Sequence, residues 1–216
     1  MRILTIGDSF TYGDELVDIQ QAWPYVLQNK LSCELTNLGK PATGNTSMVR
    51  NVVEHARDYD LIIVAWSHFA RIEFADEHGI FDTWPGHRGV AFTNNIAYRM
   101  ELLNYINRHH NDEYLYKQYL LNIILLQTYA DHLGKKLLML NTQINWNKLS
   151  EDSYMEKFAS TINRIDTQYF IGWPNESMME WTFGTPKGPN GHFLAAGHTI
   201  VADKIYEYIR HLGWVS

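Results

Sequence analysis

The sequence predicts a three-layer α/β/α sandwich built around a mainly parallel sheet. Three observations predict it. Short runs of aliphatic and β-branched residues alternate along the chain with segments of helical spacing. One run, Asp60-Leu-Ile-Ile-Val-Ala-Trp66, is apolar at consecutive positions, as in a strand covered on both faces. The 216 residues are 45% hydrophobic and 19% charged, enough apolar surface for a packed core and too much for disorder.

Each element has a local reason. Arg2–Ile6 is a short apolar run stopped by Gly7, a first strand. Gln21–Leu31 has helical spacing, with Pro24 in the first turn, where its missing N–H costs nothing. Cys33–Leu38 reads as a strand ended by Gly39, and Asn45–Arg57 as a helix capped by Asn45, Thr46 or Ser47. Asp60–Trp66 is the buried strand. Glu73–Asn95 holds Gly79, Pro85, Gly86 and Gly89 and reads as a long irregular excursion, with Trp84–Gly89 as a lid candidate. Ile96–His109 and Glu113–Leu133 are helices, the second closed by Gly134. Lys136–Asn141 is a further strand, Ser153–Arg164 a helix, Tyr169–Ile171 a short last strand, and Ala195–Leu212 a closing helix. Trp173–Phe193 is a loop rich in Gly, Pro and aromatics. No repeat or linker interrupts residues 1–216, which read as one domain.

Composition narrows the function. A formal net charge of −6 argues against nucleic acid as a partner, since phosphates need a basic face. The lone Cys33 excludes an internal disulfide framework and a cysteine-based zinc cluster. The N-terminal apolar stretch is too short for a signal peptide. The most apolar later stretch, Tyr119–Ala130, carries Asn122 and Gln127 and falls short of the ~20 apolar residues of a membrane span. A cytoplasmic protein without membrane association is therefore expected. Seven Trp and thirteen Tyr suit an apolar or glycan-lined cleft as well as an aromatic core.

In parallel sheets, ligands bind beyond the carboxyl ends of the strands. After the first strand comes Gly7-Asp8-Ser9-Phe10-Thr11-Tyr12-Gly13. A serine at this turn faces the crevice, and its N–H, lacking a helical acceptor, can meet a developing oxyanion. After the second strand, Gly44 precedes a helix and can offer an unobstructed N–H. Near the C-terminus, Asn190-Gly191-His192 and then Gly197-His198 precede the last helix, where His192 can take a proton from Ser9.

These blocks, in this order across nearly the whole chain, resemble the SGNH (GDSL-like) hydrolases. The resemblance implies a flavodoxin-like sandwich and a serine esterase or deacylase acting on a small acyl ester, for instance an O-acetyl group on a carbohydrate. It implies Ser9 as nucleophile, His192 as base, and the N–H groups of Ser9 and Gly44 as oxyanion donors. No metal or organic cofactor is implied. Two departures stand out. The family's third block is Gly-x-Asn-Asp; here the strand runs into Trp66-Ser67-His68-Phe69-Ala70-Arg71-Ile72-Glu73, so His68 falls where the oxyanion-donating Asn is expected. This run is similar to a divergent branch associated with bacteriophages. The family also carries an Asp three residues before the His, where this chain has Pro189. The orienting acid must then be a backbone carbonyl, Glu176 or Glu180, or nothing.

The remaining residues have plainer readings. Asp8 is expected as a hydrogen-bond anchor and His198 as a packed residue of the last helix. Arg71 and Glu73 are expected as an ion pair at the rim, with Ser67 and Arg71 as candidate substrate contacts. Trp173 and Trp181 form a substrate wall or hold the loop. His109-His110 reads as a helix junction rather than a metal site. Rival functions are acyl transfer to an alcohol through the same pair, and an inactive scaffold that binds a glycan or a protein.

Overall fold

The computed structural model describes residues 1–76, 79–83, 100, 101, 104, 105, 108, 111–143 and 151–215. Its sheet has five strands: β1 (Arg2–Ile6), β2 (Glu34–Asn37), β3 (Leu61–Trp66), β6 (Lys136–Asn141) and β7 (Phe170–Ile171). They lie in the order β2-β1-β3-β6-β7, and every neighbouring pair is parallel. Parallel neighbours need crossovers. The crossovers include α2 (Trp23–Leu31), α3 (Asn45–His55), α4 (Asp112–Leu133) and the short α5 (Glu151–Lys157) and α6 (Ala159–Ile162); α8 (Ala195–His211) closes the chain.

Strand periodicity divides the core in two. Leu4, Ile6, Ile62, Val64, Trp66, Leu137 and Met139 face α3 and α4. Ile3, Leu61, Ile63, Ala65, Leu138 and Leu140 face α2 and α8. Every residue of β3 is buried, which is why its sequence is apolar without alternation. The expected sandwich is therefore present, with the ends of the strands and of most helices within a few residues of those expected; most of the helix expected over Ile96–His109 lies outside the described residues. No helix among the described residues is long and apolar enough to cross a membrane.

Four local expectations are corrected. The excursion after Glu73 begins as an antiparallel hairpin of β4 (Ile72–Asp76) and β5 (Gly79–Thr83), pairing Glu73 with Asp82; the density of Gly and Pro had masked it. The helix expected over Ser153–Arg164 is split into α5 and α6 around Phe158, which is buried. The 173–193 loop contains a helical turn, α7 (Met178–Trp181), capped by Ser177. The N-cap of α3 is Gly44, and the Ser47 hydroxyl bonds carboxylates instead of capping. The lid candidate Trp84–Gly89 and His109-His110 lie outside the described residues.

Gly39 sets the spacing of the turns after β1 and β2. A Cβ there would lie 2.6 Å from the Tyr12 amide nitrogen and 2.8 Å from the Thr11 carbonyl carbon. Backbone cannot yield as a flexible side chain does. Gly39→Ala should cost about 1–3 kcal/mol, read as a lower thermal midpoint; an unchanged midpoint would contradict the close approach.

Candidate active site

The helical turn α1 (Ser9–Tyr12) opens directly at the end of β1, so Ser9 stands at the carboxyl edge of the sheet. Asp8 fixes this turn. Its Oδ1 accepts from the Phe10 N–H at 3.1 Å. Its Oδ2 accepts from the Ser67 hydroxyl at 3.0 Å and the Thr142 hydroxyl at 3.3 Å, and lies 3.4 Å from Arg71 Nη1. Asp8 is fully buried and ties the ends of β1, β3 and β6 together. Asn37 does the same for the second turn. Its amide donates to the Thr11 carbonyl at 3.0 Å, and its oxygen accepts from the Gly39 N–H at 2.9 Å.

The structure brings Ser9 and His192 together across 183 positions of sequence, with Ser9 Oγ 2.8 Å from His192 Nε2. On the other side of the ring, His192 Nδ1 lies 2.7 Å from Glu15 Oε2. Sequence reasoning did not reach Glu15 as a candidate for the acid. Its carboxylate also accepts from the N–H groups of Asn190 at 2.7 Å and His192 at 3.1 Å. Gly188 permits this approach, because a Cβ there would stand 2.6 Å from the Glu15 carboxyl carbon. Partial desolvation pushes the Glu15 carboxyl up. The hydrogen bonds from Asn190 and from the His192 ring and backbone, with the charge of His192, outweigh it and leave the group below the usual carboxylate range. A carboxylate on Nδ1 selects the tautomer with the proton there, so Nε2 accepts from the serine hydroxyl.

The two glutamates expected as acids are engaged elsewhere. Glu176 accepts from the Trp181 indole N–H at 2.8 Å, and Glu180 from the Ser177 hydroxyl. Trp181 also stacks under Lys204, and Trp173 packs on Phe170. Both tryptophans hold the loop in place. Ser67 is 3% exposed, with its backbone N–H and carbonyl bonded to the Asn45 side chain and its hydroxyl to Asp8. Ser67 is thus bonded into the scaffold between β3 and the turns after β1 and β2. Arg71 does not pair with Glu73. Its guanidinium lies on Asp8 and donates to the Thr43 carbonyl at 3.0 Å, while Glu73 pairs with Arg50. These bonds give Arg71 a place in the scaffold beside Asp8.

The oxyanion candidates differ. Ser9 N–H sits in the first turn of α1, beyond the reach of a helical acceptor. His68 accepts the Ala70 N–H on Nδ1 at 3.1 Å, which puts the proton of its neutral ring on Nε2 and makes that nitrogen a donor. Gly44, expected to be unobstructed, has the Asp82 carboxylate against it, and a Cβ there would stand 2.7 Å from Asp82 Oδ1.

His198 packs where expected. It accepts the Trp23 N–H on Nδ1 at 3.1 Å, and its Nε2 is buried without a partner among the described residues. Burial first, and the charge of His192 second, push it from 6.5 down to about 3. The unfolded chain therefore binds a proton that the folded chain refuses between those values. This part of the stability is present above pH 6.5 and falls as the pH drops toward 3, at up to about 1.4 kcal/mol per pH unit. Urea midpoints measured from pH 7 to 4 should fall in wild type and fall less steeply in His198→Gln; parallel slopes would refute the assignment.

No family model matches the sequence, and no curated protein matches it. Solved structures match in fold. The esterase EstA from Pseudoalteromonas sp., inhibited by monoethylphosphonate, aligns at TM-score 0.59 and 13% identity over 98% of this chain and 97% of that one. A member of the lipolytic protein G-D-S-L family from Veillonella parvula aligns at 0.51 and 17% identity over 96% and 97%. The acetyl xylan esterase Est2A from Butyrivibrio proteoclasticus aligns at 0.54 and 16% identity over 99% of this chain and 65% of that one. The fold is that of the SGNH esterases.

Proposed function

We propose that this protein is a serine esterase that removes a small acyl group from an alcohol. The observation that carries the reading is the unbroken line from Ser9 Oγ through the His192 ring to the Glu15 carboxylate, with links of 2.8 and 2.7 Å. Ser9 Oγ attacks the ester carbonyl carbon as its proton passes to His192 Nε2. The carbonyl oxygen becomes an oxyanion, stabilised by the Ser9 N–H, the Gly44 N–H and the His68 Nε2–H. Collapse breaks the bond to the alcohol oxygen, which takes the proton from His192. Water, deprotonated by the same nitrogen, then releases the acid and restores Ser9. Glu15 holds the ring and stabilises the imidazolium without itself taking the proton.

An O-acetyl group on a carbohydrate is the substrate class we favour, supported by the likeness in fold to an acetyl xylan esterase. The Glu15 contact with His192 supports assigning it the role left open by Pro189, one of the two departures, with the missing third-block Asn, that motivated the inactive-scaffold reading. The test is treatment with a fluorophosphonate, followed by peptide mapping. A single adduct on Ser9, absent in His192→Ala, is the expected outcome; a folded wild type that takes up no probe would refute the reading. Acetylated xylan and p-nitrophenyl acetate, with and without added alcohols, then separate hydrolysis from acyl transfer.

A further inference from the structure

The carboxylate on Gly44 is supplied by the protein itself. Asp82, on β5, lies against Gly44 and meets the Ser47 hydroxyl, whose oxygen is 3.1 and 2.9 Å from its two carboxylate oxygens. Gly44 and Ser47 belong to the cap and first turn of α3, where unpaired amides and the helix dipole favour an anion. The approach is as close as the backbone allows. A Cβ on Gly44 would stand 2.7 Å from Asp82 Oδ1. Glu73 faces Asp82 across the hairpin, and Arg50 on α3 binds Glu73 and reaches the Ser47 hydroxyl at 3.3 Å. A carboxylate paired with Arg50 and a second one on Ser47 thus stand beside an amide that the proposed reaction needs. A planar carboxylate on that amide resembles the acid product more than the ester.

We propose that Asp82 is a built-in competitor for the oxyanion hole, which the incoming acyl group must displace from Gly44 before Ser9 can be acylated. The proposal rests on the esterase reading above. It makes the β4–β5 hairpin the element that sets how readily the site accepts an ester. Neutralising the carboxylate removes the charge-assisted half of its hold on the amide and hydroxyl. Desolvation raises the Asp82 acid range, with the neighbouring Glu73 adding to it, against the opposing hydrogen bonds from Ser47 and Gly44 and the charge of Arg50. The wild type should therefore shed the competitor as the pH falls.

The experiment measures the second-order rate of Ser9 labelling by a fluorophosphonate in wild type, Asp82→Asn and Ser47→Ala, from pH 8 to 5. Asp82→Asn should label about tenfold faster at pH 7. The ratio of variant to wild type should shrink toward one at low pH. If Asp82→Asn does not melt cooperatively, Ser47→Ala, which removes the hydroxyl gripping both carboxylate oxygens, decides in its place and should also label faster. Equal or slower labelling by the folded variant, or a ratio independent of pH, would overturn the competitor. Absence of labelling in every form, wild type included, would instead overturn the esterase reading beneath it.

Discussion

Ser9→Ala should fold as wild type does, take up no fluorophosphonate, and hydrolyse p-nitrophenyl acetate about 10⁴–10⁶ times more slowly. The size follows from what the hydroxyl does. It is the protein atom that forms a bond to the acyl carbon in the proposed mechanism, and the remaining donors can orient an ester without opening it. The structural cost is small by comparison. Among the described residues Ser9 Oγ engages His192 alone, so its removal forfeits about 0.5–1.5 kcal/mol, while Asp8 continues to hold the turn. The measurement is a pair: thermal midpoints to establish the fold, then turnover and intact mass. Turnover within tenfold of wild type, or an adduct that persists, would place the nucleophile elsewhere.

The second large effect concerns Glu15. Glu15→Gln keeps the size of the side chain and removes its charge. An amide no longer selects the productive tautomer of His192 or stabilises the imidazolium. In the serine-protease template, the equivalent carboxylate-to-amide change costs about 10⁴ in turnover. A fall of about 10³–10⁴ in kcat with little change in KM is expected here, with a matching loss in the labelling rate of Ser9. Glu176→Gln and Glu180→Gln should stay within about twofold of wild type, since their carboxylates serve Trp181 and Ser177. Glu15→Asp should recover part of the loss, because a carboxylate remains but must reach further. A Glu15→Gln enzyme within threefold of wild type would reduce the site to a Ser–His dyad.

Much of this could be read from the chain, for physical reasons. β1, β3 and β6 are apolar runs bounded by turns, and both faces of the sheet are covered, so no competing pattern obscured them. Ser9 and His192 occupy turn positions after a strand and before a helix, which local sequence marks. Glu15 carries no such mark. It lies 177 positions from its partner, in a stretch with no period, and its backbone has φ 66°, a left-handed conformation that a glutamate adopts only when its surroundings hold it there. Reasoning confined to the loop around His192 had no access to it. Asp82 was hidden in the same way. Its partners are 35 and more positions away, and the strand that carries it sits among glycines and prolines that read as irregular.

The placement of Glu15 bears on how sequence fingerprints sort this fold. In the proposed triad, nucleophile and acid are six positions apart, Ser9 to Glu15, and the C-terminal segment contributes the base alone. A fingerprint demanding an aspartate just upstream of the histidine would discard such a chain as a degenerate copy. One that scans the residues downstream of the first-block glycine for an acid would retain it. Chains shelved as inactive for want of that aspartate should be sorted again by whether an acid lies within a turn of their Gly-Asp-Ser.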